Sequence, residues 1–176
     1  MERNIEVLIS MKRIIALLII ALLITGCVDD NPISYVEIEL GVKINNAKIE
    51  KYKDKEDSFN GDGTRFIVLK NVSKDFVNKI KNRKDWSHEP SKVERLALYG
   101  GEIKKDYWTE SFVTDDNDKM LIPKIKNAYY FSRDTEEYEN EKEKIKERKE
   151  DPIPRNFIIA VYDVDNNKLY YYEYDS

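Results

Sequence analysis

Asn156-Phe-Ile-Ile-Ala-Val-Tyr-Asp163 and Lys168-Leu-Tyr-Tyr-Tyr-Glu-Tyr-Asp175, with Val164-Asp-Asn-Asn167 between them, decide the fold of this chain. The first run is apolar at consecutive positions and rich in β-branched and aromatic residues. Both of its faces therefore need cover, and it reads as a central strand. In the second run the two-residue period of a strand puts Tyr170, Tyr172 and Tyr174 on one face, with Leu169 and Tyr171 on the other. The Asp-Asn-Asn link supplies turn residues, so the two runs form a β-hairpin.

Upstream of this hairpin, Pro152 and Pro154 close Asp134 to Asp151 (DTEEYENEKEKIKERKED), which has almost no apolar content. Oppositely charged i,i+3 pairs such as Glu139 with Lys142 predict a solvated helix or charged excursion, because Tyr138 and Ile145 alone cannot make an apolar stripe. Further strands are expected at Asn127 to Ser132, Lys119 to Ile122 and Ser111 to Thr114, the last two joined by Asp115-Asp-Asn-Asp118 as a hairpin. Leu96, Leu98, Ile103 and Trp108 lie in a middle stretch broken by Gly100-Gly101 that carries no clear period. The main helix is expected after Ser73, with Asp75 in its first turn and Phe76, Val77 and Ile80 on one face. Arg65-Phe-Ile-Val-Leu-Lys70 reads as a central strand. Near the start of the fold, Val36, Ile38 and Leu40 alternate with Glu37 and Glu39 and predict a strand. Val42 to Glu50 predicts another, ending in a charged loop from Lys51 to Asp57. The fold class expected is α+β: a single domain, an antiparallel sheet with one main helix, and a C-terminal β-hairpin.

The only cysteine, Cys27, has no partner for an intrachain disulfide and follows an unusual stretch. Basic Lys12-Arg13 precede eleven apolar residues from Ile14 to Ile24, and then Thr25 and Gly26. That is the layout of a secretory signal. An eleven-residue helix spans about 17 Å, short of the roughly 30 Å hydrocarbon core, so the segment starts export and is not a permanent span. Ile24-Thr25-Gly26-Cys27 resembles the lipobox of bacterial lipoprotein precursors. The resemblance implies diacylglycerol on the Cys27 sulfur and cleavage between Gly26 and Cys27. Two acyl chains give stable anchoring where one is marginal. The alternative is an ordinary signal peptide or buried helix with an incidental cysteine. Glu2 and Glu6 dilute the positive end of the signal, so residues 1–10 read as an upstream extension of a start at Met11. The domain plan is then a lipoprotein signal peptide over 1–26, a lipidated tether over 27–33, and an extracytoplasmic α+β domain over 34–176 with the charged excursion at 134–151.

From Cys27 onward the chain has 27 basic and 32 acidic residues, a net charge of −5. Such a balance gives no electrostatic reason to bind nucleic acid. A domain of this size needs no disulfide staple even in an oxidising compartment.

Candidate chemistry is sparse. Ser58-Phe-Asn60-Gly-Asp62-Gly63 has the oxygen spacing of an EF-hand loop, but Leu69 falls where the bidentate glutamate belongs, so a tight turn explains it better. Asp163, Asp165 and Asn167 repeat the spacing less well and also read as turn residues. His88, the sole histidine, sits in Trp86-Ser-His-Glu-Pro90, where Ser87 and Glu89 are too close in sequence to form a triad with it. One histidine and one cysteine do not make a zinc site of the usual ligand count. No catalytic residue, metal or cofactor is expected. Tyr129-Tyr130-Phe131 and the Tyr170, Tyr172, Tyr174 face remain. If open, the latter is a stacking surface for a sugar ring or a protein; the alternative is that these tyrosines fill half-buried strand positions.

The C-terminal hairpin, together with Gly61-Asp62-Gly63 before an apolar strand, is similar to small uncharacterised exported proteins of low-GC Gram-positive bacteria. That resemblance implies one small α+β domain and carries no activity. The expectation is a lipoprotein held to the cell membrane at its extracytoplasmic face through Cys27. It would act as a binding or interaction module for a protein or cell-wall glycan, with no nucleic acid. An extracytoplasmic hydrolase with a carboxylate-based site is the alternative.

Overall fold

The computed structural model describes residues 31–56, 63–136 and 141–175. The chain divides after Asn31, and the unit described below begins at Pro32, two residues before the expected start. Cys27 lies outside the described residues, as do the calcium-like positions Ser58, Asn60 and Asp62.

A six-stranded sheet organises the unit. Its strands are β1 (Lys48–Glu56), β2 (Gly63–Lys70), β3 (Trp86–Ser87), β6 (Ala128–Asp134), β7 (Phe157–Asp163) and β8 (Lys168–Asp175), in the order β1-β2-β8-β7-β6-β3. Every neighbouring pair is antiparallel. β4 (Gly101–Lys104) and β5 (Tyr107–Thr109) form a separate two-stranded ribbon. Four short helices complete the described unit: α1 (Pro32–Leu40), α2 (Asp75–Ile80), α3 (Lys92–Tyr99) and α4 (Glu141–Glu150). The class is α+β, with an antiparallel sheet and a C-terminal hairpin.

All seven residues of β7 are buried, as a run apolar on both faces demands. Ile158, Ala160 and Tyr162 join the core under α1 and α2, with Ile67, Leu69 and Tyr171. Phe157, Ile159 and Val161 join the opposite core under α3 and the segment 111–125, with Phe66, Val68 and Tyr172. Helices thus cover both faces of the sheet. The β7–β8 turn is held by Asp163, only 4% exposed. Its Oδ1 accepts the Asp165 and Asn166 amides at 3.1 Å each, and its Oδ2 accepts Asn166 Nδ2 at 2.7 Å.

The N-terminal part departs from the sequence reading. Val36 to Leu40, expected as a strand, belongs to helix α1. Val36 and Leu40 stand at i,i+4 as well as at i,i+2+2, so both periods fit, and the open sheet face selects the helix. The two bury to 0% and 1%, and Ile38 is left 75% exposed. Pro32 suits a helix start, where its missing N–H costs nothing. The next strand is also displaced: Val42 and Ile44 plug the core from an irregular connection, and β1 runs through the charged stretch expected as a loop. An edge strand needs only one hydrogen-bonded side and tolerates wet side chains.

α2 lies where the main helix is expected, but with six residues it is the shortest of the four described, and its N-cap is Lys74, without a side-chain cap, rather than Ser73, whose Oγ accepts the Asp75 amide at 3.3 Å. α3 has no counterpart among the expected elements. It opens on a capping box in which the Glu94 amide donates to Ser91 Oγ (3.2 Å) and the Ser91 amide to Glu94 Oε2 (2.5 Å). It closes at Gly100, whose φ is +68°. A Cβ at that position would stand 2.7 Å from the Thr109 carbonyl oxygen, so no side chain fits. The expected hairpin around residues 115–118 reduces to one bridge, Thr114 to Met120.

Candidate functional site

The tyrosine face does not survive as an open surface. Tyr170, Tyr172 and Tyr174 share one side of β8, as alternation requires, but the 111–125 segment crosses that side. Tyr172 is 2% exposed and its hydroxyl donates to the Phe112 carbonyl at 2.8 Å. Burial pushes that hydroxyl well above the ordinary tyrosine range. Tyr174 is half-buried between the Phe112 and Phe157 rings, 5.7 and 5.5 Å away. Tyr172 is therefore core, a correction to its reading as a binding residue. Covering by Phe112 is a long-range packing event that local alternation cannot report.

Tyr170 has a different setting. It lines an open groove of about 270 Å³ with Glu50, Lys51, Phe66, Val68, Leu121 and Lys168. A smaller hollow continues past Phe66 and Leu121 to Lys53, Lys55 and Tyr172. The floor comes from β2 and β8, where Phe66 lies opposite Tyr172 and Val68 opposite Tyr170. The wall comes from β1, whose Lys51, Lys53 and Lys55 lie opposite Val68, Phe66 and Thr64 and hence on the same face. The Lys51 ammonium sits 5.2 Å from the Phe66 ring centre, a cation–π contact. Lys168 Nζ meets Glu50 Oε2 at 2.8 Å, and Lys55 pairs with Asp116. Burial raises the Tyr170 hydroxyl, with Lys168 opposing it. An aromatic and aliphatic floor beside a row of ammonium groups suits an extended ligand that carries negative charge.

On the other face of the same strands, a polar cleft of about 150 Å³ gathers Tyr35, Asp54, Arg65 and Glu173. Tyr35 donates to both Glu173 oxygens (2.9 and 2.7 Å), and Tyr171 donates to Oε2 at 3.1 Å. Arg65 reaches Glu173 at 3.3 Å and Asp54 at 3.0 Å and lies 4.3 Å from the Tyr35 ring centre. Burial works against the Arg65 charge, and Asp54, Tyr35 and Glu173 outweigh it. Burial and then Glu173 push the Tyr35 hydroxyl well up. This network ties α1 to the sheet; Asp54 and Glu173 are committed to donors, and Asp175 lines the same cleft.

His88 is exposed and packs its ring 3.9 Å from that of Tyr129. Ser87 Oγ donates to the Glu89 carbonyl at 2.6 Å, so the three residues form no relay. Asp163 spends its oxygens on the turn. Among the described residues no group of three or more His, Cys, Asp or Glu is placed to hold a metal ion. The β1 lysine wall escapes the sequence reading because the charged run 51–57 reads as a loop. Tyr107 and Trp108 also escape it, and they stand 55% and 69% exposed on the β4–β5 ribbon.

Comparison with known proteins gives no match: no protein-family model, curated protein or solved structure aligns with the chain.

Proposed function

We propose that this chain is an exported lipoprotein, held at the extracytoplasmic face of the membrane by diacylglycerol on Cys27, whose domain binds a ligand rather than transforming one. The location rests on Ile24-Thr25-Gly26-Cys27 and the apolar run before it. After cleavage the chain reaches α1 in four residues, Val28 to Asn31. Among the described residues no helix is long and apolar enough to cross a membrane. The observation that carries the binding role is the lysine-walled groove floored by Phe66, Val68 and Tyr170. The hydrolase alternative gains little: of the three carboxylates that share a cleft with Arg65, Asp54 and Glu173 are engaged by its guanidinium and by tyrosine hydroxyls, which leaves the exposed Asp175 without a second uncommitted acid in that cleft.

Detergent-phase partitioning of the protein made in a bacterial host tests the anchor. Wild type is expected in the detergent phase with an acylated Cys27 as its first residue, and Cys27→Ala is expected to be unprocessed or to leave that phase. Mass spectrometry showing an unmodified residue 27 within an intact chain would falsify the lipoprotein reading.

A further inference from the structure

We propose that the outer edge of β1 accepts an extended segment of a partner protein, one with acidic side chains at every second position, as a seventh strand of the sheet. This deepens the binding role above and rests on it, since the lysines concerned form the wall of the same groove.

β1 is a nine-residue strand at the end of the sheet. Its inner side pairs with β2 from Lys48 to Glu56, and among the described residues nothing pairs with its outer side. At about 3.3 Å per residue it offers roughly 30 Å of backbone donors and acceptors. The opposite edge, β3, has only two residues. Long edges are usually guarded, and lysine is the common guard. Here the lysines are confined to one face, where the one acid of β1 that lines the groove, Glu50, is engaged by Lys168. Lys48, Lys51, Lys53 and Lys55 lie opposite Lys70, Val68, Phe66 and Thr64, all on the groove side. The irregularity between Ile49 and Lys51 keeps Lys48 in the row. On the other face Ile49 and Tyr52 are 41% and 47% exposed.

This pattern acts as a filter on what can pair. A second copy joined edge to edge by a two-fold axis continues the sheet with the same face up, so its lysine row would adjoin this one. Like charges directly opposite each other destabilise a strand pair. A strand alternating acidic with apolar residues avoids this: its carboxylates fall beside the lysines and its apolar side chains beside Ile49 and Tyr52. Main-chain bonds then supply affinity and alternate side chains supply selection, as in strand addition generally. The chain already shows what the row takes, since Asp116 of the 111–125 segment pairs with Lys55.

The test uses the full-length protein in detergent and three short peptides: alternating Val and Glu, alternating Val and Lys, and the first composition with its glutamates in one block. Amide hydrogen exchange reads the site. The Val-Glu peptide is expected to bind, to protect amides within residues 48–56, and to weaken as salt is added. Lys51→Glu with Lys53→Glu, both surface changes, should weaken it roughly tenfold and admit the Val-Lys peptide instead. Equal binding of the blocked peptide means unspecific charge attraction and overturns the proposal. So does binding that perturbs Tyr170 and Leu121 without protecting β1, an outcome that leaves the groove reading intact. No binding of any peptide at the groove or edge removes both. Concentration-dependent self-association abolished by the double variant would replace the acidic partner with a second copy.

Discussion

The C-terminal hairpin and helix α1 are both short, apolar-patterned segments packed on the same sheet, yet one is legible in the sequence and the other misleading. In β7 every residue is buried, so the pattern has a single solution: only a strand with both faces covered satisfies seven consecutive positions. In α1 two of nine residues are fully buried and the rest are partly wet, so strand and helix both fit. Over-determination by burial makes local sequence informative.

The sharpest way to break that comparison is to remove one large side chain from each segment. Phe157→Ala is expected to cost about 3–5 kcal/mol, because a 2%-exposed ring leaves a cavity between Phe112, Tyr172 and Tyr174. Ile38→Ala, at a 75%-exposed site, should stay within about 0.5 kcal/mol. Denaturant melts of the two variants decide it; comparable losses would mean that α1 is fixed by contacts other than Val36 and Leu40.

A smaller effect separates packing from hydrogen bonding within the hairpin. Tyr172→Phe keeps the ring and orphans the Phe112 carbonyl, for an expected loss of about 1 kcal/mol. An unchanged midpoint would show that water reaches Phe112 and that the 111–125 cover is looser than described.

The smallest effect lies in α1. Burial raises the Glu37 carboxyl, but Lys43 and the Ile44 amide outweigh it and hold the group below its ordinary value of 4.5. A carboxylate depressed in the fold contributes stability above its unfolded value and loses it as pH falls through the folded one. Stability should therefore drop as pH falls below about 4.5. Glu37→Gln should flatten that limb, in chemical melts followed across pH, without changing the neutral-pH ranking of the hairpin variants. A parallel acid limb in the variant would assign the drop to other carboxylates.

How far the sequence reaches follows from how local each signal is. β7, β8, β2 and α2 announce themselves through contiguous apolar residues or one clean helical stripe. α3 carries a readable Ser91-x-x-Glu94 box, but Gly100-Gly101 cut the period just beyond it and mask the helix. β1 is hidden because an edge strand imposes almost no composition. Alternation places Tyr170, Tyr172 and Tyr174 on one face correctly, while their exposure depends on the path of a distant segment, Phe112 standing 60 residues from Tyr172. The groove combines one residue that alternation indicates, Tyr170, with a wall that only the β1–β2 register reveals.

β8 follows every other strand in the sequence, yet in the sheet it lies between β2 and β7. Until it arrives, the β1–β2 pair and the β6–β7 pair share no hydrogen-bonded neighbour, and neither core can close over the gap. A two-stranded piece such as β1–β2 is marginal alone in water. A ribosome releases β8 after the strands it must join, so the sheet stays open while they are being made.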